Sequence, residues 1–218
     1  MPPPYGPDPP AYGKDGHTVV TARDASRMDP VAMIGRSQDR LQQYAGELAG
    51  DQPVRAYAAD IADRDALRTA ITTAIKELGR PEVLAYNAAL IRPDTPTDGD
   101  DEGWINSFAV NVLGAKIAAE TVLPELRGRG SLLFTGGGLA DTPSRQYASL
   151  SVGKASLRSY VQALAAELAD TGVRATVVTI NGGIDAGEER FASSALANDY
   201  LELHRQDAKE WQPELRRD

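Results

Sequence analysis

The chain has 218 residues, 42% of them hydrophobic and 25% charged, which suffices for one α/β domain with its own core. It has no cysteine, which excludes disulfides, thiolate zinc sites and cysteine nucleophiles. Its formal net charge of −8 would repel nucleic acid and anionic membranes, and no apolar run approaches a membrane span, so neither partner is expected and a cytoplasmic location is the default.

Residues 1–16, MPPPYGPDPPAYGKDG, have no apolar period and read as a disordered or extended leader, leaving 17–218 as a single domain. His17 to Ala22 predicts a short strand, and Val31 to Gly35 a second one. Only nine residues, Arg23 to Val31, run from the end of the first to the start of the second. A parallel crossover with its helix takes about a dozen or more. A deletion, a different use of the N-terminus and a lost true beginning are all open explanations.

From Val31 the pattern is regular. Ser37 caps a helix with Leu41, Tyr44, Ala45 and Leu48 as its apolar stripe, ended by Gly50. Val54 to Asp60 is a strand, and Asp63 caps a helix with Leu67, Ile71, Ile75 and Leu78 on one face, ended by Gly79. Glu82 to Ala89 is a buried strand, followed by an acidic loop and a long helix from Trp104 to Leu126. Ser131 to Thr135 is a strand that meets the glycine turn Gly136 to Gly138, with a helix from Ser149 or Ser151 to Asp170 beyond. Arg174 to Ile180 is the last clear strand; Ala186 to Gln206 reads as helix, and Pro213 discourages regular structure after it. Alternating strands and helices predict a doubly wound, mostly parallel Rossmann-like sheet with helices on both faces.

Several short motifs stand at the ends of these strands. Asp60-Ile61, Asn87-Ala88-Ala89, Asn111 within VNVLG, Lys154 in the helix after the glycine turn, and Asn181-Gly182-Gly183-Ile184 occur in this order between Val31 and Ile184. Together they resemble the short-chain dehydrogenase/reductase superfamily. The resemblance implies an NAD(P)-dependent oxidoreductase acting on a small carbonyl, alcohol or activated alkene, and a homodimer or homotetramer. It implies a cofactor site formed by Arg36, Ser37, Asp60, Ile61, Asn87, Ala88, Ala89, Lys154, Gly182 and Ile184. Asp60 and Asn87 have equally good readings as backbone caps at strand ends. Arg36 is placed for an adenosine ribose and favours NADP(H) over NAD(H) through a 2′-phosphate; a solvated surface arginine is the plainer alternative.

The chain departs from the family at its chemistry. The phenol of the family's Tyr-x-x-x-Lys is Leu150 here, and its serine falls on Gly137. The family's Gly-x-x-x-Gly-x-Gly turn, whose backbone N–H groups hold the cofactor pyrophosphate, has no match, so binding is expected to be weak or absent. Asn111 and Lys154 survive as catalytic candidates. Tyr147 is a weaker substitute, because seven residues on a helix place it roughly 10.5 Å from Lys154 along the axis, against about 6 Å for four. Thr135 is a weak stand-in for the serine. A catalytically degenerate oxidoreductase, a non-catalytic binding or subunit protein, and a truncated product remain as readings; with two histidines, a transition-metal site has poor prospects.

Overall fold

The structure, a computed structural model, describes residues 18–21, 30–48, 53–126, 128–207 and 209–218. The expected leader and the Gly50 helix end lie outside the described residues. Strands β1 (Thr18–Thr21), β2 (Val31–Gly35), β3 (Val54–Ala58), β4 (Val83–Tyr86), β5 (Gly130–Thr135), β6 (Val173–Ile180) and β7 (Glu214–Arg217) form one sheet in the order β3-β2-β1-β4-β5-β6-β7. Helices α1 (Gln38–Glu47), α2 (Arg64–Leu78), α3 (Asp101–Phe108), α4 (Gly114–Val122), α5 (Ala148–Glu167) and α6 (Ser193–Arg205) connect the strands.

Period-two alternation divides the core. Leu132 and Phe134 of β5 and Val177 of β6 face α2, α4 and α5, packing with Leu67, Ile71, Ala118, Leu157 and Val161. The alternate residues Leu133, Val178 and Ile180 face α6 and pack with Phe191, Leu196 and Leu203. The expected caps form: Ser37 Oγ accepts from Arg40 N at 3.4 Å, and Asp63 Oδ1 from Asp65 N and Ala66 N at 3.0 Å. Gly79 ends α2 at φ 98°, a conformation that only glycine adopts without strain.

β1 is the exception to a parallel sheet, being antiparallel to both β2 and β4. The short connection has no room for a crossover helix, so the strand fills the central slot in the opposite direction. Thr18 is therefore paired with Tyr86 at the carboxyl end of β4, and Thr21 with Val83 at the far edge. The end of β1 therefore lies at the edge opposite the one where open α/β sheets bind ligands.

Three other expectations are corrected. The tail after Pro213 is not irregular: Glu214–Arg217 pairs in parallel with β6. Pro213 sits just before the strand, where its missing N–H is not needed, and its carbonyl accepts from Val177 N at 3.0 Å. The final helix begins at Ser193, after a single 3-10 turn at Glu189–Phe191, and not at Ala186. The long helix starts at Asp101, where Asp100 caps it, and passes through a π turn at Ala109–Leu113 before α4.

Candidate active site

At the carboxyl ends of β2, β3 and β4, Arg36, Asp60, Ile61, Ala88, Ala89, Leu90, Asn106 and Val110 line one cleft. Five of these are the residues that the motif pattern assigns to a cofactor; Leu90 and Asn106, from the loop and helix after β4, match no short motif, and Val110 lies in VNVLG, where only Asn111 was singled out. Arg36 is exposed at the rim. Asp60 accepts from Ala62 N at 2.9 Å through Oδ1, closing a turn, while still bordering the cleft. The backbone-cap reading of Asp60 is thus observed, and the residue also borders the cleft. Ser37 is the cap of α1, and Asn87 is exposed just after β4, outside the cleft lining.

The floor is shaped by the π turn. Tyr86, standing where the family has asparagine, donates its phenol to the carbonyl of Val110 at 2.5 Å. Burial raises the Tyr86 pKa, which keeps it a neutral donor. Asn111 lies inside the same turn and is 2% exposed. Its Oδ1 accepts from Leu90 N at 2.8 Å and its Nδ2 donates to Ser107 Oγ at 3.0 Å and Leu90 O at 3.3 Å, which ties the loop after β4 to the helix. Gly153 lets α5 approach, since a Cβ there would lie 2.9 Å from the Asn111 Cβ.

At the end of β5, Lys154 Nζ donates to the Thr135 carbonyl at 2.8 Å. Burial lowers its pKa from 10.5 to about 8. The Thr135 hydroxyl turns to the other face of the sheet and lies 2.5 Å from the phenol of Tyr200, whose pKa burial raises to about 12. No sequence signal marks Tyr200, which sits in the apolar stripe of α6 beside Leu196 and Leu203. Gly137 is extended, and a Cβ there would meet nothing nearer than Lys154 Cε at 3.7 Å. Leu150 is buried one turn before Lys154. Tyr147 lies outside the helix, immediately before α5, where it bridges to Asp94 through the backbone.

The last motif closes the site on the β6 side. A Cβ on Gly182 would overlap the ring of buried Phe191, and Ile184 packs beside the α6 cluster. Asn181, where the family has proline, donates its backbone N–H to Arg217 O at 2.8 Å and its amide to Asp218 Oδ1. Proline has no N–H to offer, so the substitution extends the pairing of β7 along β6.

The strand order, the layers and a cleft at the strand ends define a doubly wound α/β protein. The sequence signature of the short chain dehydrogenases matches residues 16–190, and the chain belongs to this family. It is 25% identical over 158 residues to a Bacillus subtilis 2,3-dihydro-2,3-dihydroxybenzoate dehydrogenase, covering 71% of this chain and 60% of that one. An uncharacterized oxidoreductase of Staphylococcus saprophyticus is 27% identical over 163 residues, covering 74% of this chain and 65% of its own. The chain thus spans less than two thirds of either relative. A short chain dehydrogenase from Burkholderia cenocepacia, solved in complex with NADP, superposes with a TM-score of 0.76 at 20% identity, covering 86% and 85% of the two chains.

Proposed function

We propose that this chain is an NAD(P)-linked oxidoreductase for a small carbonyl, alcohol or activated alkene, with Gly137 and Leu150 in place of the family's serine and phenol. The observation that carries the reading is the cleft, which brings Arg36, Asp60, Ile61, Ala88 and Ala89 together from three strand ends. Its chemistry fits the adenosine half of a dinucleotide: Ile61, Ala88 and Ala89 offer apolar walls for a base, and Asp60 and Arg36 offer polar groups for a ribose. Arg36 favours a 2′-phosphate, and so NADP(H). The solved relative that holds NADP supports this choice. When bound, the cofactor would supply the hydride; the family resemblance assigns Lys154 to the nicotinamide ribose and counts Gly182 and Ile184 among the cofactor residues. The pyrophosphate half fits less well, because the end of β1 lies at the opposite edge, so affinity is expected to be weak.

Calorimetric titration with NADPH and NADH tests the reading. Binding in the high micromolar range, tighter for NADPH and with that preference removed by Arg36→Ala, is expected. No heat with either at millimolar concentration would exclude an oxidoreductase and favour the second reading, a non-catalytic binding or subunit protein, for which the reversal of β1 speaks. A cytoplasmic homodimer or homotetramer completes the proposal; among the described residues no helix is long and apolar enough to cross a membrane.

A further inference from the structure

We propose that Lys154 is itself the proton donor of this site, delivering an N–H proton to the oxygen of a small carbonyl substrate. The proposal rests on the oxidoreductase reading above. Lys154 reaches from α5 to the last carbonyl of β5, that of Thr135, at 2.8 Å. That single bond uses one of the three protons of an ammonium, and it is the only hydrogen bond of Nζ among the described residues. The neighbouring positions carry no competing donor: Gly137 has no side chain, its Cβ position would lie 3.7 Å from Lys154 Cε, and Leu150 is apolar. Neither of these two positions competes with the lysine for a carbonyl oxygen.

The charged surroundings leave the amine to titrate by itself. The end of β5 and the loop Gly136–Gly138 bring no ionisable side chain. Asn111, across Gly153, and Asn181, at the end of β6, are neutral amides. From α6 the phenol of Tyr200 is engaged with the Thr135 hydroxyl, and one turn further along α5 Arg158 is held by Asp141. Burial alone accounts for the fall of the Lys154 pKa to about 8. A group of that acidity is still charged near neutral pH and gives up its proton readily, as a general acid must.

The step balances as follows. The carbonyl carbon gains a hydride from a dihydronicotinamide, which is oxidised to the nicotinamide cation. The C=O π pair moves onto oxygen, and the oxygen takes a proton as one N–H bond of Lys154 breaks. The carbonyl is reduced to an alcohol, and the neutral amine is reprotonated from water.

Two measurements on the full chain test this. Acetylation by acetic anhydride across the pH range, followed at the Lys154 peptide by mass spectrometry without any cofactor, should show a midpoint near 8, well below the ordinary 10.5. With NADPH and a panel of activated ketones, turnover should fall as pH rises through the same midpoint. Lys154→Arg keeps the charge but not the acidity; measured at saturating NADPH, it should lose about a hundredfold or more in turnover. A labelling midpoint near 10.5 would overturn the proposal, since that result needs no variant to fold. So would undiminished turnover in Lys154→Arg, a turnover midpoint that shifts in Tyr200→Phe, or NADPH binding with no turnover of any ketone. Failure of both NADPH and NADH to bind would instead sink the oxidoreductase reading, and this proposal with it.

Discussion

Tyr86 reaches the π turn through the space that Gly114 leaves by having no Cβ. A methyl group on Gly114 would overlap both the Tyr86 hydroxyl and Ile61 Cγ2. The strand that floors the cleft and the helix that forms one of its walls are thereby held together by one phenol, bonded to Val110 O at 2.5 Å. Gly114→Ala should destabilise the fold by about 1–3 kcal/mol, the usual cost of overpacking a core. Tyr86→Phe removes the donor and should cost about 1–3 kcal/mol by leaving a carbonyl without its partner. Because both changes act on one contact, the double variant should lose less than the sum in urea denaturation. Strict additivity would mean that the two residues are not coupled.

Acid sensitivity should centre on Asp141. Arg216 and then Arg158 hold its carboxyl below the ordinary value of 3.8. They join β7 and α5 to the loop after β5. A depressed carboxylate adds stability that is complete above its unfolded value and is lost as pH falls through the folded one. Asp141→Asn should lower the melting temperature at neutral pH and reduce its fall below pH 4. An unchanged acid profile would assign the acid transition to other carboxylates.

Restoring the family's side chains is sterically open at one of the two positions. A Cβ on Gly137 meets nothing within 3.7 Å and the backbone there is extended, so Gly137→Ser should change stability by less than about 0.5 kcal/mol. Leu150 is 5% exposed, so Leu150→Tyr needs its neighbours to shift. If the double variant folds, the added phenol should raise ketone turnover about a hundredfold or more, provided that NADPH binds. Stopped-flow fluorescence of NADPH separates a gain in chemistry from a gain in binding. Tyr147→Phe should leave turnover unchanged, since that phenol precedes the helix.

Association should depend on Ile105, Phe108 and Val152, which are 70%, 41% and 47% exposed on the helical segment from Asp101 to Leu113 and on α5. The other apolar residues of α4 and α5 do not serve this purpose. Ala115, Ile117, Ala118 and Val122, and Leu157, Val161, Leu164, Ala165 and Leu168, are all buried within the protein's own core. Ile105→Glu with Val152→Glu should convert a dimer or tetramer into a monomer by light scattering, with the melting curve of the isolated subunit little changed. A parent chain that is already monomeric at micromolar concentration would rule out the oligomer.

Local patterns by themselves determined much of this protein. The caps Ser37 and Asp63 and the stop at Gly79 depend on a few adjacent residues, and the apolar periods of α2 and α5 are visible in their own segments. The same is true of Asp60-Ile61 and Ala88-Ala89, whose places at strand ends follow from the alternation of elements, and of Lys154 in the helix after the glycine turn. The nine residues from Arg23 to Val31 excluded a crossover helix, but the direction of β1 was decided by which strands were available to pair with it. Likewise β7 forms because β6 offers it a ladder, through Asn181 and Val177, that the Pro213 neighbourhood does not announce. Tyr86 with Val110, and Thr135 with Tyr200, are 24 and 65 residues apart in sequence. Hydrogen bonds of that range are set by how layers meet, and a side chain's own neighbours in sequence carry no record of them.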